Sequence, residues 1–251
     1  MECKYPFALD SNNCLIDILS AQSGEEYFCP FCGKRMIPRL KGEYRMKHFA
    51  HKESCTETWT YEMSEWHRMW QSFFPGKTEE FMENEGKKHK ADVFTNNKVI
   101  EFQHSPMTLE EFRDRNNFYS SLGYAVIWVF DLTELVEKGN IEKIDDTGMK
   151  YKWSYTLALF KGMDLSNEKA TIFFQLDKLT DMNEPILLRV YKEVEDFKYF
   201  YADMKTAMTA NEFIEYVNGS YNDMVSQIFD ENKNSEETAK YPFIVDRKSV
   251  V

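Results

Sequence analysis

HKADVFTNNKVIEFQHS, residues 89–105, reads as two short strands, KADVF and KVIEFQ, joined by a tight turn at Asn96 and Asn97. Side chains alternate along a strand, so Glu101, Gln103 and Ser105 share one face and Ile100, Phe102 and His104 the other. Carboxylates on paired strands, Asp92 and Glu101, are expected to converge on one Mg²⁺ or Mn²⁺, hard cations that prefer oxygen ligands. Such an ion stabilises a leaving alkoxide and lowers the pKa of a bound water, which Gln103 would orient; the chemistry this implies is phosphodiester hydrolysis. The plain alternative is that Asp92 and Glu101 are solvent-facing hairpin residues. Against it, Glu101 sits inside the apolar run VIEFQ, where an ionised carboxylate costs free energy unless it is paired or metal-bound.

This array of acid, acid and E-x-Q resembles the PD-(D/E)xK nuclease superfamily, with Gln103 standing where that pattern has lysine. An amide can hold water by hydrogen bonding but supplies no charge. Lys90 and Lys98 lie nearby in sequence as alternative cations, although Lys98 at the turn reads more simply as a solvated charge.

A second signal starts at Cys29-Pro-Phe-Cys32-Gly33 and ends at His48-Phe-Ala-His51-Lys-Glu-Ser-Cys55. Two thiols on one knuckle, followed by imidazole and thiol, match a tetrahedral structural Zn²⁺ site of Cys29, Cys32, His51 and Cys55, with His48 a rival for one place. Gly33 suits the positive φ that such a knuckle needs. A redox CxxC would require no downstream His and Cys. Residues 34–52 carry seven Lys and Arg against Glu43 alone. Arg35, Arg39, Lys41 and Arg45 are therefore candidate contacts to a phosphate backbone, the alternative being an ordinary solvated hairpin.

Taken together, ALDSNNCLIDILSAQ, YFCPFCG, HFAH, SEWHRMWQ, HKADVF, VIEFQHS and FRDRNNFYSSLGYAVIWVFD resemble the competence protein CoiA-like family, over about residues 7–131. The resemblance implies an amino-terminal zinc-binding segment joined to a nuclease-like core. It also implies a helix before the strands that contributes Glu65 and His67 to the site. Periodicity of Trp66, Met69, Trp70 and Phe73 puts Glu65 and His67 at the borders of the buried face and leaves Glu62 open as well. Thr108 is expected to cap a helix, TLEEFRDRNNFYSSL, that stops at Gly123, and the resemblance implies that its Arg115 approaches phosphate. The run YAVIWVF then reads as a buried central strand.

The expected fold class is α/β (α+β): a restriction-endonuclease-like PD-(D/E)xK core at 59–131, preceded by a β-rich zinc-ribbon-like module at 1–58 and followed by an α/β extension at 132–251. In that extension KATIFFQL, PILLRVYKEV and FKYFYAD read as strands, LTELVEKGNIEKI as a short helix, ANEFIEYVNGSYNDMVSQIF as an amphipathic helix and DENKNSEETAK as a linker. The net charge of −11 argues against a polyanion partner, but it is uneven. Residues 1–60 sum to zero, 61–130 to −3 and 131–251 to −8. Odd cysteine usage and the lack of a long apolar run imply a cytoplasmic protein with no membrane partner. The expected function is Mg²⁺-dependent cleavage of DNA in recombination, competence or defence. The alternative is a non-cleaving accessory that binds DNA or recombination proteins.

Overall fold

The computed structural model describes residues 5–30, 32–41, 47–52, 64–144, 150–176, 185–202 and 207–219. Glu62, Arg45 and Cys55, the DENKNSEETAK segment and the second half of the expected ANEFIEYVNGSYNDMVSQIF helix lie outside the described residues.

The hairpin at 89–105 forms as β7 (Lys87–Thr95) and β8 (Lys98–Gln103), in the register Val93↔Ile100, Phe94↔Val99 and Thr95↔Lys98. Asn96 and Asn97 have φ of 49° and 61°, the paired left-handed conformation that a two-residue turn between right-twisted strands requires. β7 also pairs with β6 (Thr78–Asn84), and β8 runs parallel to β9 (Ala125–Asp131). β9 is the apolar spine. Val126, Trp128 and Phe130 face one layer while Ile127 and Val129 face the other, and each fully buried side chain contributes roughly 1.5–3 kcal/mol.

These strands belong to a ten-stranded mixed sheet that does not end at Asp131. β12 (Ala170–Gln175) lies parallel to β9, and the sheet continues antiparallel through β13 (Ile186–Val194), β14 (Tyr199–Ala202), β11 (Lys150–Trp153) and β10 (Ile141–Lys143). The short β15 (Met208–Thr209) pairs with β13. The segment read as one helix from Leu132 divides into α3 (Thr133–Glu137) and strand β10, with Gly139 at positive φ between them. Phe173, Phe174 and Phe197 fill the core, whereas Tyr191 and Tyr201 are only half-buried.

Helices cover both faces. α1 (Glu65–Ser72), capped by the Ser64 hydroxyl, packs with α4 (Ala210–Asn218) over Val93, Ile100, Phe102 and Ile127. α2 (Leu109–Ser121), capped by Thr108 and followed by Gly123 at φ 82°, covers the opposite face through Phe112, Phe118 and Tyr119. A separate five-stranded antiparallel sheet forms in the order β2 (Leu15–Asp17), β1 (Phe7–Leu9), β3 (Tyr27–Phe28), β4 (Arg35–Arg39), β5 (His48–His51). Its core is small: Ala8, Ile18, Tyr27, Cys29, Met36 and Phe49. No helix among the described residues is long and apolar enough to cross a membrane.

Candidate active site

β7 and β8 pair only from the turn as far as Val93 and Ile100. Beyond that point β7 stays with β6 and β8 stays with β9, so the two strands part and leave a notch in the sheet. Asp92 and Glu101 sit at its mouth. Asp92 Oδ2 accepts the Phe102 N–H at 2.8 Å, a side chain bridging the gap that the backbone ladder leaves. Its other oxygen, Oδ1, lies 3.3 Å from His67 Nε2 on α1. Both side chains are nearly fully buried. Burial pushes the Asp92 carboxyl up, but the His67 ring and the Phe102 amide outweigh it and hold it below the usual carboxylate range.

Glu79 on β6 completes this side of the notch. It is 2% exposed and adopts φ 60°, an uncommon conformation for a residue with a side chain, and one that accompanies functional sites. Its carboxylate accepts from the Gln71 amide and from the Lys90 ammonium. Gln71 also donates to the Asp92 carbonyl at 3.0 Å, tying α1 to β7. The ligand atoms of His67, Glu79 and Asp92 all lie within 4.8 Å of one another, a spacing at which one ion can meet all three. Lys90 is buried, with its ammonium 5.5 Å from the Phe7 ring of β1. Lys98 is at the far end of β8 and donates to the Val217 carbonyl at 2.8 Å.

Glu101 stands outside that three-residue group and turns to the α2 face, where Arg115 Nη1 donates to its Oε2 at 2.7 Å. Burial, then the neighbouring charge of Asp92, push the Glu101 carboxyl up to about 8. Asp92 and Glu101 therefore sense each other while being held by opposite helices. Glu101 Oε1 is buried without a hydrogen-bond partner among the described residues, although the Tyr119 hydroxyl is close enough to feel the carboxylate. Such an orphaned acceptor invites a water or a cation. Gln103 is half-buried, with its amide donating to the Ser105 carbonyl at 2.6 Å. Glu65 is exposed in the first turn of α1.

In the small sheet, Cys29, Cys32 and His51 bring their ligand atoms within 4.8 Å, with Cys32 Sγ 3.4 Å from His51 Nε2. Gly33 takes φ 67° and its N–H donates to the Cys29 carbonyl at 2.8 Å, closing the knuckle. His48 pairs with Arg39 at one end of β5, whereas His51 pairs with Met36 at the other, beside the knuckle. Burial, then Lys34, lower the His51 pKa and favour the neutral ring that a metal needs. Arg35, Arg39 and Lys41 are exposed, and Arg35 pairs with Glu26 at 3.1 Å.

Residues 13–57 match the family described as Competence protein CoiA, N-terminal domain, and residues 60–192, over half the chain, match Competence protein CoiA, nuclease-like domain. The chain belongs to the competence protein CoiA family. Comparison with curated proteins and with solved structures gives no significant match.

The CoiA nuclease-like match runs through β6, the notch, α2, β9 and β12 into β13, so it takes in every group described around Asp92. Neither Glu79 nor Gln71 stands out in the sequence. A signal for Glu79 was present: Glu85-Gly86, at φ 51° and 78°, is a second two-residue turn, and it folds β6 back on β7 opposite the residues already chosen.

Proposed function

We propose that this CoiA-family chain is a divalent-metal-dependent nuclease that cleaves DNA, built on a PD-(D/E)xK-type core, with a zinc-stabilised amino-terminal module that helps hold the DNA. The observation that carries the reading is the buried His67, Glu79 and Asp92 cluster at the notch between β7 and β8. Two carboxylates suit Mg²⁺ or Mn²⁺, the added imidazole favouring Mn²⁺, and the three ligand atoms are close enough to meet one ion. When bound, the ion would polarise the phosphodiester and acidify a water.

The chain's own groups would do the rest. His67, Glu79 and Asp92 would hold the ion, while Gln71 and Lys90 fix the Glu79 carboxylate. Glu101, held by Arg115, would bind that water through Oε1; with its carboxyl raised to about 8 it keeps its own proton near neutral pH and positions the water without deprotonating it. Gln103, its amide nitrogen occupied by Ser105, keeps its carbonyl oxygen to orient that water. Lys90 supplies positive charge beside the site where Gln103 supplies none. Cys29, Cys32 and His51, with Cys55 as the fourth ligand, would hold Zn²⁺. Arg35, Arg39, Lys41 and Arg45 would contact phosphates.

The test is cleavage of single-stranded, linear and supercoiled DNA with Mg²⁺ or Mn²⁺. Asp92→Ala and Glu79→Gln should each lose at least ~100-fold in rate, the order of effect seen when a site's charge stabilisation is removed, and retain DNA binding. A second reading, a CoiA-family accessory that binds DNA or a recombination protein without cutting, draws on Gln103 and on the near-complete burial of Asp92 and Glu101. Binding by the wild type with no cleavage of any DNA form would favour it.

A further inference from the structure

His104 lies just past β8 and belongs to none of the groups above. Its Nδ1 is 2.8 Å from Asp131 Oδ2 at the end of β9. Asp131 is 5% exposed, and its other oxygen accepts from the Thr133 N–H at 3.1 Å and the Thr133 hydroxyl at 2.6 Å. A buried carboxylate with three partners thus fixes the plane of an imidazole that is itself 40% exposed. A carboxylate on Nδ1 sets the tautomer and leaves Nε2 to meet whatever approaches from solvent.

The placement points to a ligand. β8, β9 and β12 are parallel neighbours, and Gln103, Asp131 and Gln175 mark their carboxyl ends, the side on which open α/β sheets bind ligands. Gln175 Oε1 accepts from the indole N–H groups of Trp66 and Trp70, at 2.8 and 3.0 Å. A line of rings leads from the notch to this point. His67 lies 5.8 Å from Phe102, Phe102 lies 6.0 Å from Trp66, and Trp66 lies 6.1 Å from His104. Along β8, His104 is three residues beyond Glu101, roughly 10 Å at the usual strand rise. That is too far to share the scissile phosphate and corresponds to a flanking phosphate some three steps along, since a strand of DNA places a phosphate roughly every 3.4 Å of axis.

We propose that His104, oriented by Asp131, is a phosphate-binding residue for the nucleotides flanking the cut, with the half-buried Trp66 forming the floor between it and the metal cluster. The proposal rests on the nucleic-acid reading above. With Nδ1 donating to Asp131 and Nε2 to a phosphate oxygen, the doubly donating ring is the cationic form that such a contact uses.

The test is fluorescence anisotropy of the full chain with a labelled single-stranded oligonucleotide and the matching duplex, over a range of salt, with Ca²⁺ replacing Mg²⁺ to prevent cutting. His104→Ala and His104→Asn should bind several-fold more weakly. The slope of log affinity against log salt should fall by about 0.7 on the single strand or about 0.9 on the duplex, and His104→Lys should restore it. Asn keeps a donor toward Asp131 but carries no charge. If His104 merely ties β8 to β9, His104→Asn will match the wild type in affinity and slope, and the proposal falls alone. A wild type that binds neither DNA would take the nucleic-acid reading with it.

Discussion

Glu101 carries a displaced carboxyl at the notch, raised from 4.5 to about 8 by burial and by Asp92. The folded protein therefore binds a proton at Glu101 that the unfolded chain releases above about pH 4.5, and by linkage this contribution to stability is lost as pH rises to about 8. Each unit of displacement is about 1.4 kcal/mol, so the loss amounts to a few kcal/mol at most. Asp92, depressed, has the opposite sign: its contribution is present above its ordinary value of 3.8 and disappears as pH falls below it. The expected outcome for Glu101→Gln, which keeps an oxygen for Arg115, is a melting temperature flatter between pH 5 and 8 than that of the wild type. Equal slopes in thermal scans of the two metal-free proteins would contradict the buried-acid account.

Between β6 and β7 the pairing depends on one buried ion pair as well as on the ladder. Glu79 and Lys90 are both buried, and removing one partner of such a pair strands the other's charge, at about 3–5 kcal/mol. Lys90→Met should cost that much in urea unfolding, and Lys90→Met with Glu79→Met should recover most of it, while neither variant cuts DNA. This element also shows what the sequence could and could not reveal. β9 and the β7/β8 hairpin were legible because an apolar run and an Asn-Asn turn are local signals. β6 was legible only through its Glu85-Gly86 turn, because TEEFMEN has no clean apolar alternation and its one buried acid is defined by non-local contacts to α1 and β7. For the same reason Asp92 and His67 could be named from motif, whereas Glu79, the residue that brings a third ligand atom to them, could not. β10 was read as the end of a helix and β11 was not read at all: IEK and KYKW are short, and only their pairing with each other and with β14 makes them strands.

At the scale of the whole chain, the two sheets differ in what holds them together. The large one has two extensive apolar layers; the amino-terminal one buries only Ala8, Ile18, Tyr27, Cys29, Met36 and Phe49 at its centre. A core of that size does not offset the chain entropy of ordering some fifty residues, whereas a structural Zn²⁺ contributes folding free energy directly. The small sheet also touches the notch region, through Asp17 to Arg68 of α1 at 3.0 Å and Phe7 against Lys90. Losing the proposed Zn²⁺ is therefore expected to unfold the module and expose α1, without melting the ten-stranded sheet. Cys29→Ser, or chelation of the wild type, should release Zn²⁺ measurable with a colorimetric indicator and remove a low-temperature calorimetric transition. Limited proteolysis should then begin within residues 1–58. DNA affinity should fall with the loss of Arg35, Arg39 and Lys41 from a fixed surface, and the salt slope should become shallower, because fewer phosphates are neutralised. A purified chain that contains no zinc and melts identically with and without chelator would assign the stability of the small sheet to its packing alone.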